Sequence, residues 1–349
     1  MNMFITKDIK GRIISLLGRY GSISDPLAEL IENSVVRHLD VKMIVEENLS
    51  YRPVTESPHV LCEFDEFPQS REIENFIRQT EACGYVNNIV PMLDLFGSIM
   101  LALCASREQI ALVEKWVSQG HIGVYLMTDG GGPNLVNWNS EVTAEGEKRR
   151  ITVDKIHAIS AHKLGFGIIV VKKRGSYIPS IFLMPPEDCI NLSRRTAGEP
   201  FLDGSLQLGD VKGEVVVDQS MQLRSGGALG VNRFLTFVRP RFVRSLMAQT
   251  RWLTGQGRVH LDQKQRQMMS DIDAISTKLA AQTVLTNDSV DEVKALKFAS
   301  NEFLLSLVLS GAAPDMKDQR DLLAFSKMEG SSYRCFYEIF HSSRKARKR

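Results

Sequence analysis

The chain has 349 residues, 43% hydrophobic and 24% charged, proportions of an ordinary globular protein and too apolar for a disordered one. Its 43 Lys and Arg against 41 Asp and Glu leave a formal charge of +2, which excludes the whole-protein basic field that nucleic-acid binders rely on. No apolar run reaches the ~20 residues of a membrane span, and MNMFITKDIKGRIISLLGRYG reads as an amphipathic helix, so a soluble, cytoplasmic chain of two or three domains is expected.

Residues 1–121 read as helices. Ile13, Ile14, Leu16 and Leu17 share one face of the first, and Leu27, Leu30, Ile31 and Val35 one face of the second. A polar, proline-bearing stretch from Tyr51 to Gln69 interrupts them. The pattern resumes with REIENFIRQTEACG, where Cys83-Gly84 is a stop signal, and continues through VPMLDLFGSIMLALCA. SREQIALVEKWVSQG then opens on Ser106 and closes on Gly120, a cap-to-cap helix. Cys62, Cys83, Cys104, Cys189 and Cys335 are scattered, without a CxxC and in odd number, so reduced thiols are expected. His121, His162 and His260 have no ligand spacing, and no metal is assigned.

From Ile122 the period changes. HIGVYLMTD, SEVTAE, RRITVDKIHAIS, GFGIIVVKK, YIPSIFLMPP and SLQLGDVKGEVVV are strand-like runs separated by the turn signals GGGPN, AEGEK, KRGS and DG. After Gly230 the chain returns to helix, beginning with NRFLTFVRPRFVRSLMAQTRWL, and it ends in RKARKR, read as a solvated tail. The expected fold is α+β: an N-terminal helical domain over 1–121, a middle antiparallel β-domain over 122–222 and a C-terminal helical bundle over 223–349. The first and last blocks are expected to pack together.

Local motifs add to this layout. Tyr125-Leu-Met-Thr128-Asp-Gly-Gly-Gly-Pro-Asn134 resembles the Tyr-x-x-Thr-Glu-Pro-x-x-Gly-Ser stretch of the acyl-CoA dehydrogenase family, which enters that family's β-domain and holds its flavin. KIHAISAHKLGFGIIVVKK resembles the second flavin-facing strand and its successor, and LQLGDVKGEVVV the closing strand. Arg239-Pro240 is similar to an Arg-Pro pair of some members, and Arg251-Trp-Leu-Thr-Gly255 to the family's Arg-x-x-Phe-Gly. Arg320-Asp321, seven further residues, then Glu329-Gly330-Ser331-Ser332 matches Arg-Asp…Glu-Gly-Thr-Ser in type and spacing. Some positions depart from the pattern. The flavin-facing Trp and Thr fall at His157 and Ile159, or at Ser160 with a one-residue shift, and Thr254 replaces Phe. The Arg239–Arg251 interval is short by roughly three helical turns. Only Ser310-Gly311-Ala312 remains of a Gln-x-x-Gly-Gly element that reaches the neighbouring subunit's FAD.

The resemblance implies a flavoprotein that oxidises an acyl thioester of CoA or acyl carrier protein. A carboxylate takes the α-proton, FAD takes the β-hydride, and hydrogen-bond donors hold the carbonyl. It makes Glu329 the base, with its own backbone N–H on the carbonyl and Gly330 permitting the tight turn. Tyr125, Thr128, Gly130, Gly131, Asn134, His157, Ser160, Arg251 and Ser331 become cofactor contacts, and Arg239 a substrate contact. Read alone, the same residues have other uses. Glu329 is an ordinary surface glutamate, the glycines a strand-connecting turn, Arg251 a salt-bridge partner and His157 a strand histidine. The resemblance also implies a homodimer, with a tetramer as the alternative, and suits biosynthesis on carrier-bound acyl groups. Two rival readings are an oxidase or monooxygenase on the same fold and a non-catalytic thioester- or partner-binding relic.

Overall fold

The computed structural model describes residues 2–39, 60–63, 69–132, 135–176 and 178–346. In chain order α1 (Asn2–Gly18), α2 (Asp25–His38), β1 (Val60–Glu63), α3 (Ser70–Cys83), α4 (Ile89–Cys104) and α5 (Arg107–Ser118) lead into the sheet strands. These are β2 (Gly123–Leu126), β3 (Glu141–Glu145), β4 (Lys148–Ile159), β5 (Phe166–Lys173), β6 (Pro179–Met184), a helical turn α6 (Pro186–Cys189), β7 (Ser193–Thr196) and β8 (Leu208–Asp218). Then follow α7 (Ala228–Gly255), α8 (Gln263–Ala280), β9 (Val284–Thr286), α9 (Asn287–Leu309), α10 (Met316–Phe325) and α11 (Ser332–Ala346).

Local chemistry sets several of these boundaries. Ser106 and Gln109 form a reciprocal capping box that starts α5. Gly84, at φ +75°, ends α3 by donating its N–H to the Thr80 carbonyl, and a Cβ there would collide with the Trp252 ring. Pro240 lies inside α7, so the Thr236 carbonyl loses its intrahelical donor. β5 is buried at every position but its last, as its unbroken apolar run requires of a strand covered on both faces.

The chain packs as two units. The helical unit holds α1–α3, β1, β9, α8–α11 and α7 from Leu235; the sheet unit holds α4, α5, β2–β8 and α7 up to Phe234. The three sequence blocks therefore combine differently from their order: residues 86–121 go with the sheet. Gln109 shows why, since its side-chain amide donates to the carbonyls of Ser220 and Gln222 beyond β8. In the helical unit α9 is the central element, packed by α1, α2, α8, α10 and α11. Ion pairs from Arg12 to Asp291 and from Arg19 to Glu292 fasten α1 to it.

The sheet runs β2-β5-β3-β4-β8-β7, with β6 also on β5. Expected to be antiparallel, it is mixed: β2 and β3 both run parallel to β5. An apolar alternation specifies which face a residue takes, not the direction of its partner strand. Its core gathers Leu126, Ile151, Val153, Ile169, Val171, Phe182 and Val215. Strands β1 and β9, which pair antiparallel, were not anticipated from the sequence, being too short to show a period. No helix of the described residues is long and apolar enough to cross a membrane.

Candidate functional site

The predicted residues fall into two sets, one in each unit. In the helical unit α10 ends at Phe325 and the chain turns through Glu329 and Gly330 into α11. Both sit at positive φ, +56° and +123°, a conformation that suits the glycine and is uncommon for a glutamate. Two buried side chains hold the turn. Arg239 Nε from α7 donates to the Glu329 carbonyl at 2.8 Å, and Asn301 Nδ2 from α9 donates to the Gly330 carbonyl at 2.9 Å. A Cβ on Gly330 would stand 3.0 Å from Arg239 Nη2 and 3.4 Å from Cys335 Sγ, so the turn admits no larger residue without displacing its supports.

Glu329 keeps part of its surface exposed, yet the protein packed around its carboxyl pushes the pKa above the ordinary range, against the pull of Arg239 and Lys297. Among the described residues its backbone N–H has no hydrogen-bond partner. Carboxylate and free N–H thus belong to one residue. Arg239, expected on the substrate, donates to the Glu329 carbonyl. Ser331 Oγ accepts from Arg334 N at 3.3 Å and its carbonyl from Cys335 N, so Ser331 caps α11. Arg251 forms ion pairs with Glu81 at 2.8 Å and Asp273 at 2.9 Å, linking α7 to α3 and α8.

In the sheet unit the loop after β2 lies along β4. Ile156 N donates to the Thr128 carbonyl at 3.0 Å and Gly130 N to the Asp154 carbonyl at 2.9 Å. β4 bulges between Lys155 and Ala158, where His157 takes φ +55° and stands exposed; Ser160 has the same φ. Thr128 and the bulge are therefore neighbours, and Thr128 is exposed as well. Tyr125 turns its hydroxyl to Met127 Sδ at 3.3 Å and its ring edge to Phe234. The space beside the glycines is filled by the protein itself: a Cβ on Gly130 would meet the Asp154 carboxylate, and one on Gly131 would land on the Asn137 carbonyl. Asn134 lies outside the described residues, as do most of the Tyr51–Gln69 stretch, the last residues of the basic tail and the side chain of Cys62.

Two features escaped the sequence reading. Asp129 and Lys155 form an ion pair at 3.2 Å with both side chains fully buried. The carboxylate also accepts from the backbone N–H groups of Gly131, Asn139 and Ser140, and the ammonium lies 4.3 Å from the Trp138 ring centre. Burial works against its charge, but Ser140, Lys155 and the backbone donors hold Asp129 below its usual range. The second is Lys297 on α9, fully buried and hydrogen-bonded to Asn301. Its sequence neighbours Leu296 and Phe298 are apolar, but Lys294 and Ser300, three residues away on its own face, are polar, so no sequence pattern marks it as buried. Among the described residues no group of three His, Cys, Asp or Glu could hold a metal, and Cys83, Cys104, Cys189 and Cys335 are free thiols.

No family profile matches the chain, and no curated protein matches it in sequence. Solved structures do match over nearly its full length. FkbI, for biosynthesis of a methoxymalonyl extender unit, aligns with a TM-score of 0.60 at 12% identity, covering 96% of this chain and 99% of its own. The prolyl acyl carrier protein oxidase AnaB gives 0.60 at 13%, covering 98% of each. A glutaryl-CoA dehydrogenase from Mycobacterium smegmatis, in complex with FADH2, gives 0.56 at 12%, covering 98% and 94%. At such identities the likeness is one of fold. N-terminal helices, a central mixed sheet and a C-terminal helical bundle in this order give the chain the acyl-CoA dehydrogenase fold.

Proposed function

We propose that the chain is an FAD-dependent dehydrogenase of acyl thioesters with Glu329 as its base. The observation that carries this reading is the Glu329 turn, where a carboxyl of raised pKa and an unpartnered N–H share one residue. A carboxylate is a better proton acceptor the nearer its pKa lies to neutrality, and a preorganised N–H stabilises charge developing on a thioester oxygen. Glu329 takes the proton from the α-carbon. Its N–H donates to the carbonyl oxygen of the same substrate. Arg239 and Asn301, holding the consecutive carbonyls of Glu329 and Gly330, fix the chain beside both groups.

A bound flavin supplies the hydride acceptor. The sheet unit suits a flavin ring in that Thr128 and His157 stand exposed on neighbouring chain segments, with Ser160 and Tyr125 close by in sequence. The crowding at Gly130 and Gly131 gives those glycines a packing reason, so they offer backbone rather than an open slot. Asn134, Ser331 and Arg251 complete the proposed cofactor set, Arg251 exchanging one of its carboxylate partners for phosphate.

A carrier-bound acyl group in a biosynthetic pathway is favoured as substrate over a free CoA ester, because AnaB is named for an acyl carrier protein and FkbI for a biosynthesis. AnaB also supports a second reading, in which the reduced flavin passes its electrons to oxygen. The purified protein is expected to be yellow and to release FAD on denaturation, identified by mass. Thioester-driven bleaching without oxygen uptake supports the dehydrogenase; stoichiometric oxygen uptake supports the oxidase. A colourless protein that takes up no added FAD refutes both and leaves a thioester- or partner-binding protein.

A further inference from the structure

α9 carries a lysine at a position where the packing calls for an apolar side chain. Lys297 is fully buried, its ammonium donates to Asn301 Oδ1 one turn on, and it lies 5.3 Å from the centre of the Phe242 ring. Neither partner is a carboxylate. Burial lowers its pKa to about 7. A buried ammonium with so little compensation is costly, and an apolar residue of the same length would stabilise the helix better.

Asn301 links that ammonium to the turn. Its Oδ1 faces Lys297, which leaves Nδ2 for the Gly330 carbonyl at 2.9 Å. The reversed amide would set its N–H groups against the ammonium and its oxygen against a carbonyl. The lysine thereby fixes which end of Asn301 meets the turn. Its titratable neighbours are Arg239 from α7, Glu329 from the turn and the Cys335 thiol from α11, which burial keeps neutral. The charges that α1 and α2 bring to α9 are taken up elsewhere, Arg12 by Asp291, Arg19 by Glu292, and Arg37 with His38 by Glu302. The acidic groups of α8 and α10 that meet cations pair Arg251, Arg258 and Arg320 instead, and Glu338 of α11 pairs Lys294 and Arg334.

We propose that Lys297 is a positioning residue for Glu329: it orients Asn301 against the Gly330 carbonyl and, when protonated, sets a positive charge beside the Glu329 carboxyl. The proposal rests on the reading of Glu329 as base. It explains why the helix tolerates a buried ammonium that packing alone disfavours.

The test is Lys297→Met, nearly isosteric and neutral. Infrared difference spectra across pH on the whole protein identify the protonated Glu329 carboxyl as the band that Glu329→Gln removes. Lys297→Met should move the midpoint of that band upward by about one pH unit, because a positive charge that pulls against the raised Glu329 pKa has been removed. Thioester-driven flavin bleaching should slow by about tenfold at pH 7 and recover at higher pH. An unchanged midpoint, or no band that Glu329→Gln removes, overturns the proposal. Should the methionine variant not fold, Lys297→Gln takes its place, neutral and able to hydrogen-bond Asn301. The same upward shift is then expected, and an unmoved midpoint again overturns it. Bleaching at the wild-type rate by Glu329→Gln would refute the base itself, while the infrared midpoint would still report the coupling to Lys297.

Discussion

Asp129→Asn removes the charge from a fully enclosed ion pair without changing the side chain's shape. The carboxylate sits at the start of the turn after Thr128, accepting three backbone N–H groups and Lys155 at 3.2 Å. With the amide in place the Lys155 ammonium keeps only the Met127 carbonyl and the Trp138 face. Leaving one member of a buried pair uncompensated costs ~3–5 kcal/mol, a third or more of a typical domain's stability. Lys155→Met should cost less, because the three N–H groups still solvate the carboxylate. The double variant should be more stable than the two single losses predict, by ~0.5–3 kcal/mol of coupling. Burial opposes the Asp129 charge, but its partners lower the folded pKa below the unfolded value of ~3.9. Its stabilisation is therefore complete above that value and lost as pH falls through the lower folded one, so wild type and Asp129→Asn should converge in acid. Urea unfolding followed by tryptophan fluorescence and circular dichroism measures all three differences. A loss below ~1 kcal/mol for Asp129→Asn, with no coupling to Lys155, would refute the account of this pair.

Three further predictions concern the same regions. Gly131→Ala should prevent folding or destabilise severely, since its Cβ meets the Asn137 carbonyl, whereas Gly132→Ala faces open space and should lose only ~1 kcal/mol to its φ of +97°; comparable losses in urea melts would contradict the packing at Gly131. Arg251→Ala should lose FAD faster on dialysis than wild type and Arg251→Lys should lose it less; unchanged retention in both would leave Arg251 only as the tie between Glu81 and Asp273. Light scattering should find a dimer at micromolar concentration, and a monomer would count against the assembly inferred from the family resemblance.

What could be read from the sequence follows from where each signal resides. The capping box of α5 and the Gly84 stop of α3 are local, within four residues, and both stand where the pattern put them. The unbroken apolar run of β5 announced a buried strand, but not that two of its neighbours run parallel to it. The division between units falls between α3 and α4 and within α7, in stretches that are helical on both sides, so no change of period marks it. At the candidate site, Glu329 and Gly330 were found through motif spacing. Their support from α9 was not: Asn301, itself held by Lys297, reaches the turn from a helix some thirty positions earlier, and only the tertiary structure brings it there. Asp129 was hidden for another reason, since an aspartate before three glycines looks like a turn residue whether or not a lysine is buried against it.

Stopped-flow mixing of an acyl thioester with the FAD-loaded protein and its Glu329→Gln variant, without oxygen, tests the central claim most directly. The amide keeps the size of the side chain and leaves the backbone N–H and its supports in place, but it cannot accept a proton. The account predicts that the variant binds FAD as wild type does and bleaches at least ~10²-fold more slowly. Bleaching at the wild-type rate, with the flavin spectrum unaltered, would contradict it.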